Sequence, residues 1–142
     1  MAYCTAPVAA STPGRAGALL WVHVFRYLPL TLLVPGQVSS EVPFDVATTI
    51  AYGDLVSGLL ALVALAALKL RFAAALPLVW LFSVVGIGDV FLATAKGVGA
   101  QLYTYPLGWN WYILNFYVPM LIVSHIMIVH RLLTTRRSAN PV

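Results

Sequence analysis

The chain has 142 residues, of which 61% are hydrophobic and only 8% charged, and its mean hydropathy is +0.92. A soluble domain is roughly a quarter charged because its surface must face water, so this composition excludes an ordinary soluble globule and leaves room for several membrane spans. The formal net charge of +4 does not point to nucleic acid, since the basic residues flank apolar runs instead of interleaving with aromatics along a groove.

The opening MAYCTAPVAASTPGRAG lacks a basic n-region and is rich in Pro, Ser, Thr and Gly. It reads as a short flexible tail, 1–16, with the next apolar stretch as a first span and not a cleaved signal. Cys4 is the single cysteine; it offers neither an intrachain disulfide nor a C-x-x-C site. The first span runs over about 17–34 and ends at the turn signal Pro35-Gly36. The second, about 44–68, follows Pro43. A tight Lys69-Leu70-Arg71 turn leads into the third, about 74–95, where Pro77 is tolerated in the first turn. The fourth covers about 110–133 and precedes a short basic tail, 135–142. Each run reaches the ~20 residues that a hydrocarbon core requires, the first only just.

This pattern predicts an all-α integral membrane protein, a bundle of four transmembrane helices filling 17–134. A soluble helical protein would show a polar face on each helix, and the second and third runs show almost none. Arg15, Lys69, Arg71, Arg131, Arg136 and Arg137 all fall on one side of such a bundle. The positive-inside rule then places both termini in the cytoplasm, with a bacterial cytoplasmic membrane as the expected setting. Trp109, Trp111 and Tyr112, with Tyr103 and Tyr105, read as an aromatic belt at the opposite interface.

Inside these runs lie residues that hydrocarbon does not favour. Asp54 and Asp89 each follow a glycine, and His23, Arg26, Asn115 and His125 join them. Counted at 1.5 Å per residue from the outer ends, Asp54 and His23 lie about 16 Å in, Arg26 about 12 Å, Asp89 about 9 Å, Asn115 about 8 Å and His125 about 22 Å. A lone charge at the membrane centre costs at least ~2.5–3.5 kcal/mol on insertion scales, so Arg26 is expected to pair with either carboxylate. Tyr27, Tyr52 and Asn115 are expected to add hydrogen bonds from an inward face.

His23, Arg26 and Tyr27 share a face at i, i+3 and i+4. Asp54 shares a small-residue stripe with Ala47, Ile50, Ala51, Ser57, Gly58 and Ala61. Gly53, Gly86 and Gly88 would let a backbone or a ligand come close. Pro29 and Pro119 each free a carbonyl four residues back, at Phe25 and Asn115, and each predicts a kink beside the polar layer. Together these point to a polar pocket open to the outer side.

Two acids against one base leave a surplus carboxylate, which calls for a proton or a bound cation. A purely structural ionic clasp accounts for one acid and Arg26 but not for the second acid. The leading expectation is a small membrane protein that binds or translocates a small molecule or a proton. Arg26, Tyr27, Tyr52, Asp54, Asp89 and Asn115 would be its ligand-binding residues, and the bilayer and a small or lipophilic ligand its partners.

A homo-oligomer would give a transporter the room that four short helices lack. One alternative is a membrane-embedded enzyme acting on a lipophilic substrate, with His23, His125, Asp54 and Asp89 as acid–base candidates. Another is bis-histidine haem or a metal at His23 and His125; no C-x-x-C-H motif accompanies it, and no cofactor or metal is expected. Ser57, Ser83 and Ser124 lack a nucleophile-elbow context. GVGAQL has no strand before it and is not a nucleotide fingerprint.

Overall fold

The computed structural model describes residues 12–139, with side chains from 17 to 134. The described elements are helical. Helix α1 (Thr12–Val24) continues as a 3₁₀ segment, Phe25–Leu33. Then follow α2 (Phe44–Lys69), α3 (Ala75–Gly99), a 3₁₀ turn (Leu102–Thr104), α4 (Asn110–Tyr112), a π turn (Ile113–Tyr117) and α5 (Val118–Ala139). Phe44–Lys69, Ala75–Gly99 and Asn110–Thr134 are long and apolar enough to cross a membrane, and Gly17–Leu33 is a shorter apolar helix. The protein is an all-α integral membrane protein. Helix α1 already begins at Thr12, within the stretch expected as tail, and α5 extends to Ala139. The remainder of both expected tails lies outside the described residues.

Helix α2 starts directly after Pro43, whose carbonyl accepts from the Val46 and Ala47 N–H groups. At its far end Arg71 adopts φ +54°. Phe72 N–H donates to Ala67 C=O and Arg71 N–H to Leu68 C=O, which together form a Schellman C-cap with arginine where glycine is usual. This turn folds α3 back antiparallel on α2. It also fixes the register between the two acids: Asp54 lies ten residues after Phe44, and Asp89 lies ten residues before Gly99. Both are therefore about 15 Å from the loop end of the bundle. The shallower depth expected for Asp89 was wrong because α3 continues past Ala95 to Gly99.

Helix α2 packs against α3 on one side and against α1 with its 3₁₀ extension on the other, while α5 touches both α1 and α3. The small stripe of α2 makes this close packing possible: Ala47, Ile50, Ala51, Asp54, Ser57, Gly58 and Ala61 are all buried. Two apolar clusters result. One lies toward the α2–α3 turn and includes Leu20, Ala61, Leu65, Val79, Phe82, Ile128 and Leu132. The other lies toward the loop end and includes Leu32, Val42, Val46, Ile50, Leu102 and Leu107. The polar residues occupy the level between them.

The prolines change helix type at the loop end. Pro29 has no N–H and its ring opposes the carbonyl four residues back; the surrounding nine residues wind as 3₁₀. A 3₁₀ helix turns 120° per residue, so its buried face is Arg26, Pro29 and Leu32, at i, i+3 and i+6. Before Pro119 the chain forms the π turn, with Val118 N–H donating to Ile113 C=O. The inserted π turn re-aims the helix where the proline removes an i to i−4 bond.

Candidate functional site

Arg26 is the centre of the polar layer and is fully buried. Its Nε donates to Asp54 Oδ1 at 2.6 Å and its Nη2 to Asp89 Oδ2 at 2.6 Å. Its Nη1 donates to Gly86 C=O at 3.2 Å and lies 3.2 Å from His125 Nε2. Because a guanidinium is donor-only, His125 Nε2 accepts, and the proton of the neutral ring sits on Nδ1. Four of the five guanidinium N–H donors are thereby engaged by α2, α3 and α5. The expected pairing of Arg26 with one acid is in fact a bridge between two.

Glycine makes the bridge possible, in a crossed fashion. A Cβ at Gly53 on α2 would collide with the Asp89 carboxylate on α3. A Cβ at Gly86 on α3 would lie 2.7 Å from His125 Cε1 and 3.2 Å from Arg26 Nη1. Both positions therefore need hydrogen in place of a methyl group. Gly88 has open space around it, so among the described residues no other part of the protein makes the close approach expected there.

The layer continues behind Arg26. His125 and His23 have ring centroids 4.2 Å apart, and Phe82 lies against both, at 5.1 and 4.9 Å. Ser124 Oγ is 2.8 Å from His23 Nε2 and also donates to Leu121 C=O at 2.9 Å. With the hydroxyl proton spent on Leu121, His23 Nε2–H is the donor to Ser124. Ser57 Oγ donates to Asp89 Oδ2 at 3.3 Å, and Tyr117 Oη to Val22 C=O at 2.7 Å. The haem alternative does not fit this geometry. The two imidazoles touch one another, and their Nε2 atoms face Ser124 and Arg26, with no porphyrin-wide gap between them. Among the described residues no three His, Cys, Asp or Glu side chains form a metal-binding group.

Three expected contributors lie elsewhere. Tyr27 is 47% exposed and Tyr52 56% exposed, and neither is brought to Arg26. For Tyr27 the cause is the 3₁₀ winding that begins at Phe25: only i+3 partners eclipse there, so Tyr27 turns away from the Arg26 face. Tyr52 is two residues from Asp54, about 200° around an α-helix. Asn115 sits exposed in the π turn, its Nδ2 donating to Trp111 C=O at 2.8 Å.

Beside the charge cluster lies a cavity of about 180 Å³. Arg26 and Asp54 form its polar end; Pro29, Leu32, Ile50, Val90, Ala93 and Leu121 contribute apolar wall. Val98 and Tyr103, both exposed, also line it, so it reaches the surface at the loop end. Its other polar residues are Thr94, Tyr103 and Asn110; of these Asn110 is 1% exposed, and the sequence marks it only as a helix start.

One end of the Asn110 amide, placed as Oδ1, lies 2.8 Å from Thr31 Oγ1, and the other end, Nδ2, has no partner. Thr31 Oγ1 also lies 2.8 Å from Leu28 C=O. One hydroxyl proton cannot serve two acceptors. Exchanging the amide ends, which are interchangeable in shape, gives two hydrogen bonds instead of one: Asn110 Nδ2–H donates to Thr31 Oγ1, and Thr31 O–H to Leu28 C=O. The proton count therefore makes the oxygen the amide end that Thr31 does not engage, on a residue that lines the cavity.

Fold and site together define a helical membrane protein with a buried arginine–dicarboxylate cluster at the end of a cavity. The chain belongs to the family described as Domain of unknown function (DUF8737), whose model matches residues 4–133. No curated protein and no solved structure matches it.

Proposed function

We propose that the protein binds a small molecule in the loop-end half of the bundle, with Arg26, Asp54 and Asn110 as polar anchors. Asp89, Gly86 and His125 then hold Arg26 in place. The observation that carries this reading is the position of the cavity: its polar end is the Arg26–Asp54 pair, and the rest of its wall is mostly apolar. Ionisable side chains within a membrane bundle mark functional sites by default. An engineered apolar cavity of about 150 Å³ holds benzene, so 180 Å³ suits a ring-sized molecule or the end of a longer lipophilic one.

Binding fits better than passage. A molecule leaving toward the α2–α3 turn would have to part the cluster of Leu20, Ala61, Leu65, Val79 and Ile128. Acid–base catalysis fits less well too, because His23 and His125 lie behind Arg26 and outside the cavity lining.

The same reading includes four crossings. Gly17–Leu33 is short in residues, but its 3₁₀ half rises about 2.0 Å per residue, so the segment reaches about 30 Å. Lys69, Arg71 and Arg131 then share the cytoplasmic side with both termini, and the cavity faces outward. The test is mass spectrometry of the protein released from native lipid, beside an Ala93→Phe variant in which the cavity wall is filled. A small-molecule adduct on the wild type that the variant loses is the expected result. An adduct shared equally by both would place the ligand elsewhere.

A further inference from the structure

We infer that the cavity is a site for a small organic ammonium ion, a protonated amine on a hydrocarbon body of about seven non-hydrogen atoms. This rests on the small-molecule reading above and names the class of ligand. Charge is the first ground. Arg26 brings one positive charge to two carboxylates, each at 2.6 Å, so the ionised cluster is one positive charge short, and Asp54 is the acid that lines the cavity.

The second ground is independent of charge. The Asn110 side chain, buried to 1% exposure, has one amide end without a partner while lining the same cavity. Proton counting at Thr31 makes that end the oxygen. Asp54 and Asn110 thus both line the cavity, each carrying an acceptor oxygen, and an ammonium head carries three donors.

An anion is the wrong complement. Four of the five N–H donors of Arg26 are taken, so an incoming carboxylate would meet one remaining donor and two like charges. A neutral alcohol would satisfy one acceptor and leave the charge unmet. The walls set the body. Pro29 and Leu32 follow Arg26 on one 3₁₀ face that spans about 12 Å, beside Ile50, Ala93 and Leu121, and these five side chains offer hydrocarbon contact only.

Hexylammonium, hexanol and hexanoate share a body and differ at the head. Their binding to the full-length protein in an uncharged detergent is measured by titration calorimetry, with the Ala93→Phe protein as the background. Hexylammonium is expected to bind at least about tenfold more tightly than hexanol, the scale of one charge-assisted hydrogen bond, and hexanoate weakest. Asn110→Leu should weaken hexylammonium several-fold and hexanol by less. Asp54→Asn should bring the two to parity; the wild-type series decides the matter even if that variant does not fold. Hexanoate or hexanol binding as tightly as hexylammonium, and lost in Ala93→Phe, overturns the ammonium assignment while keeping the cavity as a ligand site. Binding of none of the three above the Ala93→Phe background overturns both.

Discussion

The two ends of the bundle are built differently. Toward the α2–α3 turn the helices are regular, the contacts are apolar, and Leu20, Ala61, Ala64 and Phe82 are fully buried. Toward the loops the first helix winds as 3₁₀, the last carries a π turn, and the space between them holds the cavity. Regular α-helices with small residues at their contact allow backbones to approach closely, which the turn end uses to fill its core. Non-α segments displace side chains from that lattice, and Pro29 and Pro119 sit in or beside both of them. Arg26 lies at the boundary, so one half of the molecule holds the charge cluster rigidly while the other gives access to it.

The strongest way to break this division is to remove its boundary. Arg26→Leu leaves two carboxylates without a cation in the bundle, and breaking a buried pair by deleting one partner costs roughly 3–5 kcal/mol. Loss of the folded bundle in reversible detergent unfolding is the expected outcome. Adding Asp54→Asn and Asp89→Asn to Arg26→Leu removes the stranded charges as well, and should recover much of the stability while abolishing ligand binding. A triple variant that stays unfolded would mean that the charges organise both halves and are not confined to a site.

Next in size is a pair of alanines on α3. Gly86→Ala puts a methyl group 2.7 Å from His125 Cε1, and overpacking of that kind costs about 1–3 kcal/mol. Gly88→Ala enters open space and should gain up to ~1 kcal/mol of helix propensity. Thermal unfolding of the two variants reads the contrast directly. Equal effects would show that the Gly86 side of α3 is looser than the distances imply.

How much of this division the sequence carries depends on the period of each helix. The α2 stripe from Ala47 through Asp54 to Ala61 is legible because an α-helix repeats every 3.6 residues, and the whole stripe is buried. The long spans are legible for the same plain reason of apolar length. Tyr27 is misread because an α period was carried through Phe25–Leu33; the signal available was Pro29, which disfavours that period. Tyr52 fails simple angular arithmetic against Asp54.

The equal level of Asp54 and Asp89 depends on where α3 ends, and Lys96-Gly97 looks like a stop in sequence while the helix runs two residues further, to Gly99. Asn110 and Ser124 carry no local pattern that sets them apart from other polar residues in helices. Their roles arise from Thr31 and His23, each 79 or more residues distant.

A finer test separates the two acids, which the structure makes equivalent as partners of Arg26 and unequal in access. Asp54 lines the cavity and Asp89 does not; Asp89 is instead held by Ser57 and lies against Gly53. Asp54→Asn and Asp89→Asn should therefore lower the unfolding temperature similarly, while only Asp54→Asn weakens hexylammonium about tenfold. Matching losses of binding in both variants would make the cluster, and not Asp54, the contact that the ligand reads.

The smallest expected effect lies at Pro119. Replacing it by alanine restores an N–H that can donate to Asn115 C=O and removes the ring that opposes it, so the π turn loses its reason to persist. Stability should change by less than ~1 kcal/mol, because neighbouring groups in membrane helices already compensate for a proline and the turn-end core is untouched. Binding should change more. Relaxing the π turn to α removes one residue from the local winding and rotates the preceding segment by about 100°, which carries Ile113 and Leu114 off the cavity wall they now line. Hexylammonium affinity and unfolding temperature measured on the same Pro119→Ala preparation decide between the halves. A variant that melts early yet binds normally would show that the loop-end irregularity serves folding, and the division between a rigid end and an access end would not stand.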